Sequence, residues 1–297
     1  MARRSVLFSP GDRPELMRKA PAAGADTVVF DLEDAVAPAR KSEARSAVAD
    51  VLTDPAFDPD AEVCVRVDAD AGTAADDLDA VLDGDPRLDS VMVPKAASAA
   101  GVREIAELIA ARGADLPLVA LCESARGVLA ADEIAAVPAV DAVAFGAEDL
   151  AADIGATRTE GGEEVSHARQ RVVLAAGAAD VDAIDTVFTD VEATDRLAEE
   201  TATAAQLGYD GKMAVHPAQV EVINEAFTPD PEEVEWAERV LAAREAADDR
   251  GVVRVDDEMI DAPLVARAER VVERYRAAGG DVDDEQPPSA GGKVHDE

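Results

Sequence analysis

The chain has 297 residues, 48% of them hydrophobic, which is enough for one large core or two small ones. A formal net charge of −36 and a pI of about 4.2 exclude nucleic acid as a partner, because phosphate would be repelled. No apolar run reaches membrane-spanning length, so no membrane partner is expected.

Met1-Ala2-Arg3-Arg4 leads straight into a short strand-like run, so no signal peptide and a cytoplasmic setting are expected. Cys64 and Cys122 lie in or beside apolar runs and read as small core residues, not a disulfide, which fits a reducing compartment. Lysine is scarce and acids abound. Such a surface resembles that of proteins from salt-loaded cytoplasms, and it predicts a protein that needs molar salt to screen its own repulsion.

Strand-like and helix-like segments alternate along the chain. Ser5–Phe8 is the first apolar run, followed by the turn Ser9–Arg13 and a helix from Pro14 to about Ala23. Thr27–Phe30 ends in Asp31-Leu32-Glu33-Asp34, before a helix from about Ala39 to Leu52. Glu62–Val67 alternates and ends around Arg66 and Asp68, and a helix spans Ala74–Leu82. Ser90–Val93 ends in Pro94-Lys95, and the helix Ala100–Ala111 carries Val102, Ile105, Leu108 and Ile109 on one face. Leu118–Leu121 ends at Glu123, and a helix covers Val128–Ala136. Ala142–Phe145 is followed by Glu148-Asp149, and a helix covers Ser166–Ala176. Ala183-Ile184 ends in Asp185-Thr186. The helix Asp195–Leu207 is capped by Gly208. Gly211–Val215 ends in His216-Pro217, before a helix over Ala218–Asn224.

These are eight βα units, a count that fits a TIM (β/α)8 barrel, with a doubly wound open sheet as the alternative. No GxGxxG turn follows the first strand, which argues against a dinucleotide site. After Thr228-Pro229-Asp230-Pro231 the pattern changes to a long helix, Glu232–Ala247, with Trp236. A break at 248–251, a strand-like patch Val252–Val255 and a last helix from Pro263 to about Ala277 follow. The expected organisation is a catalytic barrel over 1–228, a helical extension over 229–278 and a disordered acidic tail over 279–297, with His295 idle in it.

Charged residues collect where strands end. Asp12-Arg13, Glu33-Asp34, Arg66, Lys95, Glu123, Asp149, Asp185 and His216 all fall at or just after carboxyl ends, the face that carries chemistry in a barrel. Glu123 and Asp149 follow neighbouring strands, so they are candidate ligands for Mg2+, with Mn2+ also possible; Asp149 could instead be a helix N-cap. Glu33 and Asp34 could hold metal-bound water. Arg66 and Lys95 bring positive charge to the same mouth, where arginine can grip a carboxylate or an oxyanion. No Cys/His cluster suggests zinc, and His167 reads as a surface residue. This chemistry points to a Mg2+-assisted lyase or aldolase acting on an oxo or hydroxy acid.

The segments SVLFSPGDRPELMRKA, VVFDLEDAVAPARK, VRVD, VPKA, CESARGV, AFGAEDLAADIGATRT, AIDT and GYDGKMAVHPAQVEVINEAFTP, read in order, resemble the citrate lyase beta subunit-like branch of the HpcH/HpaI aldolase superfamily. Malyl-CoA and citramalyl-CoA lyases belong to the same group. The resemblance implies a TIM barrel with a C-terminal helical extension, assembled as a homotrimer or hexamer. It makes Glu123 and Asp149 the Mg2+ ligands and Arg66 the residue on the reacting oxygen. It places Glu33 and Asp34 near the metal's water. Arg13, Lys19, His216 and Pro217 fall in segments that contact coenzyme A in relatives. Asp261, in Met259-Ile260-Asp261-Ala262-Pro263, matches a general acid/base supplied by a neighbouring subunit. Cys122, before Glu123, stands where relatives often have isoleucine. The implied activity is cleavage or formation of a 3-hydroxyacyl-CoA dicarboxylate such as malyl-CoA, β-methylmalyl-CoA or citramalyl-CoA, from or to an oxo acid and an acyl-CoA. A malyl-CoA thioesterase, a citrate lyase beta subunit working on a carrier-protein thioester, and a non-catalytic binding protein on the same barrel are the alternatives.

Overall fold

The computed structural model describes residues 2–246, 253–255 and 258–280. Arg3–Phe227 forms one compact unit. Its centre is a closed barrel of eight parallel strands in sequence order: β1 (Ser5–Pro10), β2 (Thr27–Asp31), β3 (Glu62–Arg66), β4 (Ser90–Val93), β5 (Leu118–Cys122), β6 (Val140–Phe145), β7 (Asp182–Asp185) and β8 (Gly211–Ala214). Pairing of β8 with β1, Ser5 opposite Lys212, closes the ring and sets aside the open-sheet alternative. The fold is a TIM barrel.

Around it run α1 (Pro14–Met17), α2 (Lys41–Leu52), α3 (Ala71–Val81), α4 (Ala99–Ala110), α5 (Ala125–Leu129), α6 (Ala131–Ala135), α7 (Ala147–Asp153), α8 (Glu163–Ala179), α9 (Thr194–Leu207) and α10 (Val220–Phe227). Among the described residues, no helix is long and apolar enough to cross a membrane.

The two-residue period of a strand divides its side chains between two cores. Val6, Val29, Cys64, Met92, Leu121 and Ile184 fill the barrel interior. Their neighbours Leu7, Phe30, Val65, Val91, Ala120 and Ala183 pack beneath the helices. Burying each of the larger of these side chains contributes about 1.5–3 kcal/mol. The same parity carries Asp31, Arg66 and Glu123, two residues beyond Val29, Cys64 and Leu121, inward at the carboxyl end.

At the amino end an ionic plug closes the barrel. Arg3 donates to Glu62 (2.6 Å), Asp141 (2.9 Å) and Asp182 (3.0 Å), and Glu62 also accepts from Ser90 Oγ (2.5 Å). Gly211 runs so close to this plug that a Cβ there would sit 1.8 Å from the Arg3 carbonyl oxygen.

Asp185 departs from its expected place at the mouth. Ile184 points inward, so Asp185 points outward and is fully buried, bridging Arg169 on α8 (2.7 Å) and Lys212 on β8 (2.8 Å). Lys212 also reaches Glu200 on α9 (2.9 Å). These charges join barrel to helices and take no part in the mouth.

Several helices differ from expectation. The stretch expected as one helix from Pro14 is α1 followed by a 3-10 turn, Ala20–Ala23; Pro21 lacks the N–H a continuous helix would use. Val128–Ala136 belongs to two short helices that meet at Ala130, whose ψ of 9° departs from helical geometry. Gly146 is the N-cap of α7 and Asp149 its third residue, so Asp149 is no cap.

The described residues from Thr228 to Gly280 belong to a second compact unit. Here α11 (Pro231–Glu245) packs against α12 (Ala262–Ala277) around Ala237, Val240, Ile260, Ala268 and Val272. Asp230 caps α11 through the Glu233 N–H (2.8 Å). Arg267 lies 4.9 Å over the Trp236 ring. The strand-like patch becomes a two-stranded antiparallel ribbon, β9 (Val253–Val255) with β10 (Glu258–Ile260). The tail beyond residue 280, with His295, lies outside the described residues.

Candidate active site at the carboxyl end of the barrel

Four neighbouring strands, β2 to β5, bring Asp31, Glu33, Arg66, Lys95 and Glu123 together. Asp31 and Arg66 face each other across the β2–β3 ladder. Arg66 makes a two-pronged pair with Asp31, Nε to Oδ1 at 2.8 Å and Nη2 to Oδ2 at 2.6 Å, and its Nη1 lies 3.3 Å from Glu33. Its guanidinium also sits 5.0 Å over the Phe8 ring. A planar group gripped on one edge and stacked on one face is locked in orientation, which is what an oxyanion donor needs.

Glu33 and Asp34 lie on the loop after β2. Lys41, on α2, ties that loop down by donating to the carbonyls of Leu32 and Glu33 (2.8 Å to Glu33) and to Asp68 (3.0 Å). Lys95 Nζ bridges Glu33 and Asp34, at 3.4 Å from the latter. Burial pushes the Glu33 carboxyl above its ordinary range even against Lys95 and Arg66. Burial acts on Asp34 in the same direction, but the hydrogen bond with Glu33 and the charges of Lys95 and Arg66 outweigh it and hold Asp34 low.

Glu123 is 4% exposed. It accepts the Lys95 backbone N–H at 2.7 Å and has the Asp149 carboxylate as a neighbour. Burial, with the neighbouring Asp149 charge, pushes its pKa up to about 8, against the pull of the Lys95 N–H and Arg66. The pair is set by backbone contacts. Gly146 passes so close that a Cβ there would sit 2.5 Å from Glu123 Cβ, and its N–H bonds the Cys122 carbonyl at 3.1 Å. Thr186 Oγ1, at the end of β7, accepts the first N–H of α7 from Ala147 (3.0 Å), and Asp153, at the end of α7, accepts the Ala125 N–H (2.8 Å).

Two adjacent carboxylates, one deeply buried and holding on to a proton, are a donor set that a divalent cation would relieve of its repulsion. Oxygen donors alone suit a hard ion such as Mg2+, which keeps water or substrate oxygens in its remaining positions. Among the described residues no group of three His, Cys, Asp or Glu side chains is arranged for a metal, so the protein would supply two ligands and leave most of the coordination sphere to substrate. Cys64 and Cys122 are buried, with thiols pushed up to about 12 by that burial, and offer no nucleophile.

The other candidates lie nearby or apart. Arg13 follows β1, exposed, with only long contacts to Asp12 (3.9 Å) and Glu15 (4.0 Å). Lys19 is exposed beside the turn Ala20–Ala23, which packs against the turn Pro217–Gln219. His216, just before that turn, is exposed; its Nδ1 accepts the Ala218 N–H at 3.2 Å, so a neutral ring carries its proton on Nε2. Arg13, Lys19, His216 and Pro217 are thus gathered on one sector of the rim, where β1 and β8 meet. His167 is exposed on α8. Asp261 belongs to the second unit, where it is exposed and caps α12 through the Leu264 N–H at 3.4 Å.

Asp31, Lys41 and Thr186 were not expected from sequence. Parity with Val29 would have placed Asp31 inward. No comparable local signal marks Lys41 or Thr186, whose partners lie on other elements.

The profile of the HpcH/HpaI aldolase/citrate lyase family matches residues 4–217, and that of a C–C bond lyase of the TIM-barrel fold matches residues 163–279. A citrate lyase subunit beta-like protein of Deinococcus radiodurans is 39% identical over 272 residues, 89% of this chain and 94% of the relative. The mitochondrial citramalyl-CoA lyase of Mus musculus is 35% identical over 289 residues, 91% of this chain and 85% of that one. The crystal structure of CitE from Mycobacterium tuberculosis, in complex with magnesium, acetoacetate and coenzyme A, superimposes with a TM-score of 0.77 at 38% identity, covering 93% of this chain and 98% of that one.

Proposed function

The chain belongs to the HpcH/HpaI aldolase/citrate lyase family, and we propose on that premise that it is a Mg2+-dependent carbon–carbon lyase for a 3-hydroxyacyl-CoA dicarboxylate of the malyl-CoA, β-methylmalyl-CoA or citramalyl-CoA kind. The observation that carries this reading is the Glu123–Asp149 carboxylate pair beside an arginine clamped by Asp31. Relatives named for citramalyl-CoA cleavage, and one seen with magnesium and coenzyme A, support it.

Glu123 and Asp149 would hold the ion, which supplies a Lewis acid and a template for the oxygens of the oxo-acid portion. Arg66, unable to rotate away from Asp31, presents donors to the thioester carbonyl oxygen as it gains negative charge. In the cleavage direction the hydroxyl proton leaves, the bond between the carbinol carbon and the thioester α-carbon breaks, and its electron pair passes into the enolate of acyl-CoA. Glu33 and Asp34, one holding a proton more readily than the other, would lie by the metal's water and take up the hydroxyl proton. Asp261 then protonates the enolate carbon, from its own subunit or from a neighbour in a trimer or hexamer. Arg13, Lys19, His216 and Pro217 form the rim that receives the CoA portion. The setting is cytoplasmic.

Product analysis tests the reading. Malyl-CoA with Mg2+ should give glyoxylate and acetyl-CoA, whereas malate and free CoA would identify a thioesterase. Citramalyl-CoA should give pyruvate and acetyl-CoA. No turnover of any free CoA ester would favour the carrier-protein alternative. For Asp261, Asp261→Asn should still bind Mg2+ but should no longer catalyse exchange of the acetyl-CoA methyl protons with solvent deuterium; exchange at the wild-type rate removes Asp261 from the mechanism.

A further inference from the structure

Among the described residues, two that are not glycine have positive φ. Asp180 (φ 57°) is the C-cap of α8, where left-handed backbone is ordinary. Lys95 (φ 48°) caps nothing. It stands at the carboxyl end of β4, and lysine has no short polar side chain to ease that conformation as Asn or Asp does. Such backbone persists only where the surroundings hold it, and here they do. Pro94 precedes it, the Ala96 N–H is bonded to the Leu121 carbonyl (3.0 Å), and α5 packs so close that a Cβ on Gly127 would lie 2.3 Å from the Ala96 carbonyl oxygen.

The result is specific. While the Ala96 N–H bonds the β5 backbone, the Lys95 N–H is turned onto the Glu123 side chain at 2.7 Å. The Lys95 ammonium points elsewhere, to Glu33 and Asp34. The hydrogen bond of Lys95 to the carboxylate pair is therefore made by its backbone N–H, not by its ammonium.

We propose that Lys95 is a positioning residue, whose left-handed backbone aims its N–H at Glu123 and holds that carboxylate in the orientation that receives the cation. The inference rests on the reading of Glu123 as a cation ligand and makes a prediction that reading does not. Metal affinity should follow the tolerance of residue 95 for positive φ, not its charge.

The test is calorimetric titration of Mg2+ alone into the full chain, without CoA ester, for the wild type and for Lys95→Gly, Lys95→Asn, Lys95→Ala, Lys95→Val and Lys95→Arg, with Glu123→Gln as reference. Gly and Asn should bind within about threefold of wild type. Val, whose branched Cβ resists this backbone, should bind about tenfold more weakly or worse, with Ala between. Should Lys95→Val fail to fold by circular dichroism, the Gly–Ala contrast decides in its place. Arg alone keeping the affinity, with Gly as weak as Val, overturns the inference, and so does Val (or Ala in its place) binding like wild type. If the wild type binds no Mg2+, or Glu123→Gln binds it equally well, the proposed function falls and this inference with it.

Discussion

At the scale of single residues, the site is built from charges that cannot relax. Glu123 is the clearest case, since a carboxyl with a folded pKa of about 8 holds a proton at neutral pH. Its folded pKa lies above the unfolded value, so its contribution to stability is full at acid pH and is lost as pH rises through about 8. A cation can bind only the ionised form. Mg2+ affinity of the substrate-free protein should therefore fall about tenfold per pH unit below 8, with one proton released per ion bound. Calorimetry in buffers of different ionisation enthalpy measures both, and a pH-independent affinity would remove Glu123 from the ligand set. Much of this was legible in sequence, because each acid follows an apolar run. What sequence does not carry is that Asp31 and Arg66 are register partners. Either one alone reads as loop charge; opposed across a ladder and buried, each requires the other.

At the scale of elements, α7 decides where Asp149 stands. It is a short helix with no side-chain cap of its own at Gly146. Its cap comes from another strand, through Thr186, and its far end is tied to α5 through Asp153. Thr186→Val keeps shape and removes the acceptor, leaving the buried Ala147 N–H without a partner. That should cost about 1–3 kcal/mol in denaturant unfolding and weaken Mg2+ binding, while Thr186→Ser should restore both. Equal Mg2+ affinity in Thr186→Val and wild type would show that α7 is placed by its other contacts. The same distance in sequence explains which parts of the fold were read well. Strands, whose parity is local, came out close to their observed ends. The helix break at Pro21 has a local cause in the missing N–H, whereas the break at Ala130 and the role of Asp149 have no comparable local signal. Asp185 was misplaced because its parity points it to the outer layer, where Arg169 and Lys212 meet it.

At the scale of the whole molecule, the excess of 36 negative charges must be carried by a fold that brings acids together at both ends of its barrel. The described lysines other than Lys19 are each tied to acids within the fold. Lys41 holds the loop of Glu33, Lys95 bridges two acids, and Lys212 is fully buried between two more. With 64 acids against 28 lysines and arginines, more than half of the acids cannot have a basic partner of their own. Since the screening length shrinks from about 10 Å at 0.1 M salt to about 3 Å at 1 M, melting temperature and lyase activity should both rise between dilute buffer and molar KCl. Full stability and activity in dilute buffer would show that self-repulsion is not limiting.

The ionic plug of Arg3 with Glu62, Asp141 and Asp182 seals the amino end of the barrel. The interior above that seal is filled by buried side chains, among them Val29, Met92 and Leu121, so only the carboxyl end is left for chemistry. Glu123 is buried at that end, while Arg13, Lys19 and His216 are exposed. If the proposed rim receives the CoA portion, the small oxo acid should enter before the bulky thioester and leave after it, an order that product-inhibition patterns would check.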